Sequence, residues 1–197
     1  MKYDKQSEAK LRELIIYVST MCYRDPGFGK TKLNKILFNI DFDAYQKWGK
    51  SISRQQYVAL QFGPVPKGMK GLLSSMEKKK EIAISRKEYH GKPQHCPIPL
   101  RDARVTELFS KDEMSLVFEH INAYWDRSGT SMSNASHQFI GWRAASLGEV
   151  IPFEVSLVGT REPTLDEIRK GEKLEHFAKE CLARNASGQT QDHHRRA

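Results

Sequence analysis

The segment from Thr31 to Trp48 constrains this 197-residue chain more than any other. Leu33, Ile36, Leu37, Ile40, Ala44 and Trp48 recur at helical spacing. Asp25-Pro26-Gly27-Phe28-Gly29 breaks the chain before this run, and Gly49 stops it. The other face carries Lys32, Lys35, Asp43, Gln46 and Lys47, so the pattern predicts an ordinary amphipathic core helix.

Helical periodicity recurs on both sides. Lys5 to Tyr23 places Leu11, Leu14, Ile15 and Val18 on one face. Lys67 to Lys80 turns Met69, Leu72, Leu73 and Met76 inward, with Pro66 suited to its first position and Lys78-Lys79-Lys80 at the negative end of its dipole. Ser110-Lys111-Asp112-Glu113 is a capping box opening a helix with Leu116, Val117, Ile121 and Trp125. A further helix is expected from Ser133–Ser136 to about Leu147, with Ser136 as its cap. Thr164-Leu165-Asp166-Glu167 is a second capping box, and the helix behind it would bury Leu165, Ile168, Leu174, Phe177 and Leu182.

The extended segments are fewer. Ile82–Tyr89 and Cys96–Leu100 read as strands around an irregular loop, His90-Gly91-Lys92-Pro93. Ile52 to Phe62 fits an extended segment or a short irregular helix, and Gly63-Pro64-Val65-Pro66 forces a turn. The expected fold is mainly α (α+β): a compact helical domain of five or six helices with a small β-hairpin. Its organisation is a domain over residues 1–160, a helix over 161–184 packed on or appended to it, and a disordered polar tail over 185–197.

Composition excludes several classes. No apolar run approaches a membrane span, and the opening residues lead into no apolar signal core, so a cytoplasmic protein is expected. Cys22, Cys96 and Cys181 lie far apart, as reduced thiols would. Charge is uneven: residues 1–100 hold 19 Lys and Arg against 9 Asp and Glu, and residues 101–197 hold 13 against 15. The basic half could meet an acidic partner or nucleic-acid phosphate.

The chemistry of catalysis is not legible. No glycine loop cradles phosphate, and no two His stand one turn apart around a Glu. His90, His95 and Cys96 lack an evident fourth metal ligand. Asp41 and Asp43 diverge by about 200° on a helix, and Ser136 and His137 by about 100°, so neither pair is a dyad. No enzyme, cofactor or metal is expected. Lys67 to Lys80 has lysines but no arginine or aromatic residue, which disfavours a nucleic-acid reader.

Four blocks carry a resemblance. Thr31-Lys32-Leu33-Asn34-Lys35-Ile36-Leu37-Phe38 resembles the signature helix of the Panacea (SocA-like) antitoxin family, Lys-Leu-x-Lys-Leu-Leu-aromatic. Tyr57 to Pro66, ending in Gly63-Pro64-Val65-Pro66, resembles its second block. Ser136-His137 through Trp142, and Ile151-Pro152-Phe153-Glu154, resemble its C-terminal block. The blocks occur in order from Thr31 to Val155, with Asp41-Phe42 a variant that suggests a subgroup.

The resemblance implies an antitoxin of a toxin–antitoxin system that neutralises a cognate protein toxin by direct contact. It also implies that some members deliver the toxin to a protease, and that others belong to phages or mobile elements. A DNA-binding or phage regulatory role is the alternative. Leu33, Ile36, Leu37, Gly63, Pro64, Val65, Pro66, Ser136, His137, Trp142, Ile151 and Pro152 are expected to hold the scaffold, with the Trp142 N–H finding a partner. The toxin is then expected on a surface outside these blocks, at the hairpin residues Arg86, Tyr89, His90 and His95, with Lys78, Lys79 and Lys80 steering it.

Overall fold

A computed structural model describes residues 5–158 and five further positions, Leu165, Arg169, Glu172, His176 and Lys179. The chain divides into two compact units, Met1–Val158 and Gly159–Ala197.

The first unit is built on two long helices, α1 (Lys5–Met21) and α2 (Lys30–Trp48). Gly49 ends α2 in the left-handed conformation (φ 68°), its N–H donating to Tyr45 O at 2.8 Å. A short strand pair follows, β1 (Tyr57–Leu60) and β2 (Gly63–Pro66), then α3 (Met69–Lys78). Lys80 (φ 56°) closes α3 in a Schellman arrangement, in which Glu81 N donates to Met76 O and Lys80 N to Glu77 O. The hairpin comprises β3 (Ile82–Tyr89) and β4 (Lys92–Pro99). Four helices complete the set: α4 (Val105–Leu108), α5 (Lys111–Tyr124), α6 (Gly129–Ser136) and α7 (Ile140–Ala144). The two-residue β5 (Val150–Ile151) and a 3-10 turn (Phe153–Leu157) end the unit.

Among the described residues there are therefore seven α-helices and two antiparallel sheets, ordered β2-β1-β5 and β3-β4. This α+β fold corrects the expectation of five or six helices with one hairpin. Three local readings explain the difference. Gly63-Pro64-Val65-Pro66 is a strand, with Pro66 opposite Tyr57 and Pro64 opposite Ala59. It lies at the sheet edge, where prolines are tolerated, and the turn falls one step earlier at Gln61-Phe62. Pro66 therefore ends β2 rather than starting a helix. The expected helix over 133–147 is split into α6 and α7, and Ser136 is the last residue of α6; the cap is Ser128, whose hydroxyl accepts from Ser131 N at 3.1 Å. The hairpin loop is only His90-Gly91, both with positive φ (50° and 72°), as a tight two-residue turn requires.

The Ser110–Glu113 capping box forms, with reciprocal bonds of 2.8 and 3.1 Å. Of the C-terminal helix, the five described positions are helical, but Leu165 is exposed rather than buried. Ile168, Leu174, Phe177, Leu182 and the tail over 185–197 lie outside the described residues.

The larger core gathers Leu11, Leu14, Ile15 and Val18 of α1 with Leu33, Ile36, Leu37 and Ile40 of α2. A second, aromatic core lies on the other side of α2: Phe38 and Phe42 meet Tyr57, Phe139 and Phe153 at centroid distances of 4.6–5.8 Å. Helix α2 is thus packed on several sides, by α1, α5, α6, β2, β4 and the 3-10 turn. That corrects the amphipathic reading: Lys32 and Lys35 are each only 1% exposed and Asp41 is fully buried. Phe38 and Phe42, one turn apart on a second face, are the sequence signal of a helix buried nearly all round.

Candidate functional site

Three buried charges on α2 organise the surroundings. Asp41 accepts from Ser53 N at 2.8 Å, from Tyr57 OH at 2.8 Å and from the Ser53 hydroxyl. Burial pushes its carboxyl up, and these bonds oppose that shift. Lys32 forms an ion pair with Asp25 and donates to Trp125 O at 2.6 Å. Asp25 in turn accepts from Gly27 N at 2.9 Å, so this pair ties the break before α2 to the end of α5.

Lys35 differs. It donates to Pro64 O at 3.3 Å, and no carboxylate among the described residues pairs with it. Burial pushes its ammonium down to about 8. Gly63, at φ 97°, lies directly over it; a Cβ there would collide with Lys35 Nζ and with Ser136 Oγ. Three separated sequence blocks thus meet at one point: the second Lys of the α2 motif, the Gly-Pro of β2 and Ser136 of α6.

The last block packs beside them. Ser136 Oγ donates to Ser133 O at 2.8 Å, and Ser133 Oγ donates to Phe62 O at 2.9 Å. His137 stacks on Trp142 (4.0 Å, 14°), and Trp142 Nε1 donates to Leu60 O at 3.0 Å. Ile151 pairs with Tyr57, and Pro152 leads into the 3-10 turn. Leu33, Ile36 and Leu37 are fully buried, and Val65 packs against the same core.

Two clefts open around this hub. A groove of about 400 Å³ runs along β1, β2 and the start of α3, with Lys35 at its base and Leu60, Val65 and Met69 among its walls. A larger cleft of about 810 Å³ lies between the hairpin tip and the starts of α2 and α6. Tyr89, His90 and His95 line it, together with His137. Arg86 stands opposite His95 in the register but lines neither cleft. Lys78, Lys79 and Lys80 are exposed at the other end of β3, roughly 23 Å from its tip at 3.3 Å per residue. The residues expected to form one partner surface are thus divided between two ends of the hairpin. Cys96 is buried, its Sγ donating to Phe28 O at 3.0 Å, whereas the neighbouring His95 is exposed. No group of three or more His, Cys, Asp or Glu among the described residues is placed to hold a metal. No helix among them is long and apolar enough to cross a membrane.

The family model for the antitoxin SocA-like, Panacea domain matches residues 33–143, more than half of the chain. The chain belongs to this family. No curated protein and no solved structure matches it. The matched span of the Panacea domain begins inside α2 and ends inside α7, so it holds Lys35, Gly63, Ser136 and Trp142 together. Sequence reasoning placed Lys32 and Lys35 in solvent. The available signal was the motif itself, which specifies both lysines along with the apolar positions.

Proposed function

We propose that this chain is an antitoxin that neutralises a separately encoded protein toxin by direct contact. The observation that carries this reading is membership of the SocA-like antitoxin family over residues 33–143. The geometry supports a binding role: most signature residues are used in packing α2, β1–β2 and α6–α7 together, while Val65, Pro66 and His137 also line the two clefts that stay open beside them. The free, buried thiols Cys22 and Cys96 suit a cytoplasmic setting; burial pushes Cys22 up to about 12, which keeps it inert.

Co-expression tests the reading. The product of the adjacent open reading frame should arrest growth alone, and this chain should restore growth and co-purify with it. Restored growth without a stable complex would overturn neutralisation by contact.

A further inference from the structure

The two clefts share a border. Lys30, Thr31 and Phe62 line both, so they form one surface folded about the β1–β2 turn. Phe62 at that turn is 65% exposed and Leu60 is 41% exposed, although both lie beside the family's packed residues. Large side chains left in water at the rim of a concave apolar groove are what an interface anchor looks like before its partner arrives.

The electrostatics of the surface are one-sided. Lys30, Lys32, Lys35, Lys70 and Lys92 line it, and no Asp or Glu among the described residues does. Lys32 is neutralised from within by Asp25. Lys35, Lys30, Lys70 and Lys92 form no such pair with a carboxylate among the described residues. The backbone adds to the field. Helices α2 and α3 both begin on this surface, and neither has an acidic residue in its first turn or a side-chain cap. Helix α2 instead opens Lys30-Thr31-Lys32, against the preference of a helix N-terminus for negative charge. Helix α5, by contrast, opens with Asp112 and Glu113 and a complete capping box, although the short α7 also lacks both an acidic first turn and a side-chain cap.

We infer that this surface, centred on Phe62 and flanked by Lys30, Lys70 and Lys92, receives an acidic amphipathic segment of the protein partner. Its apolar side chains would lie against Phe62 and Leu60, and its carboxylates would meet the lysines and the two helix starts. The inference rests on the antitoxin reading for the existence of a protein partner and adds that partner's chemistry. A protein carboxylate is favoured over nucleic-acid phosphate because no arginine lines either cleft and because Val58, Val65, Met69 and Leu73 make the groove apolar.

The test uses the full chain and a fluorescent peptide of alternating glutamate and leucine, titrated by anisotropy. Binding should weaken as salt rises. The double variant Lys30→Glu with Lys92→Glu should lower affinity at least tenfold, and Phe62→Ser at least fivefold. Glutamate at the first position of α2 suits the helix dipole, so the double variant should keep its melting temperature. Equal affinity in the variants would overturn the proposal. So would an oligothymidylate that binds with the same dependence on Lys30, Lys92 and Phe62, since the surface would then be a nucleic-acid site. Co-expression separates this inference from the reading beneath it. If the wild-type chain and the double variant both rescue growth, the surface assignment falls and the antitoxin reading stands. If the wild-type chain fails to rescue, the antitoxin reading falls and, with no protein partner left, so does the assignment.

Discussion

Glu13 on α1 and Lys35 on α2 are equally buried, at 1% exposure each, yet their surroundings are opposite. Glu13 accepts from Arg101 Nη1 and Nη2 at 2.8 Å each, from Arg104 N at 2.9 Å and from Arg104 Nη2 at 3.0 Å. Burial pushes its carboxyl up, but these donors outweigh it and hold it at about 2. Arg101 and Arg12 also share Glu81, which extends the network to the start of β3. Lys35 has one long bond to a carbonyl. The comparison separates two uses of a buried charge. Around Glu13 it fastens the loop at 101–104 onto α1, and every partner is internal. Around Lys35 it stands at the base of an open groove with its compensation missing.

The sharpest way to break this contrast is to make a compensated site resemble Lys35. Asp25→Asn would leave Lys32 buried without its counter-ion and should cost about 3–5 kcal/mol, read from urea unfolding. Leu37→Ala calibrates the same helix without any charge. Leu37 is fully buried, so the loss should be about 2–5 kcal/mol, enough to threaten a domain of ordinary stability. A melting temperature equal to wild type would remove Leu37 from the core.

Stability should rise with pH at both sites, but in different windows and for opposite reasons: the Glu13 charge is held by its partners, whereas the Lys35 charge is only penalised by burial. Glu13 has a folded pKa below its unfolded value of 4.5, so its stabilisation is present above pH 4.5 and is lost as pH falls towards about 2. Discounted for the partial exposure of its arginine partners, the loss should be on the order of 2 kcal/mol, and Glu13→Gln should abolish this dependence. Lys35 has a folded pKa lowered to about 8 from 10.5. Between those values the unfolded chain holds a proton that the folded chain has released, so stability rises with pH across the window. Lys35→Met should remove that rise and raise stability at pH 7 by about 1 kcal/mol. A destabilised Lys35→Met protein would mean that the bond to Pro64 O matters more than the buried charge.

The smallest effect concerns the hairpin. Tyr89 lines the larger cleft and Arg86 does not. Tyr89→Ala should weaken partner binding, whereas Arg86→Ala should change neither affinity nor stability by more than about 0.5 kcal/mol. Equal losses from both would return the interface to the strand as a whole.

Much of the helical frame was legible because its causes are local. The Asp25–Gly29 break, Gly49, the Ser110–Glu113 box and the 3.6-residue stripes of α1, α2 and α5 each act within a few residues. The three-stranded sheet was not legible, because strands of two to four residues carry no periodicity and exist only once β1 has β2 and β5 to pair with. Nor could one stripe reveal that α2 would be enclosed on a second face by Phe139 and Phe153, nearly a hundred residues or more away. That enclosure decided the candidate site. The sequence by itself set the family motif, the positions of Lys32 and Lys35 and the basic excess of the first half. Only the tertiary structure decided that one lysine finds Asp25 while the other is left at the base of a groove, because burial and pairing depend on what the rest of the chain brings alongside.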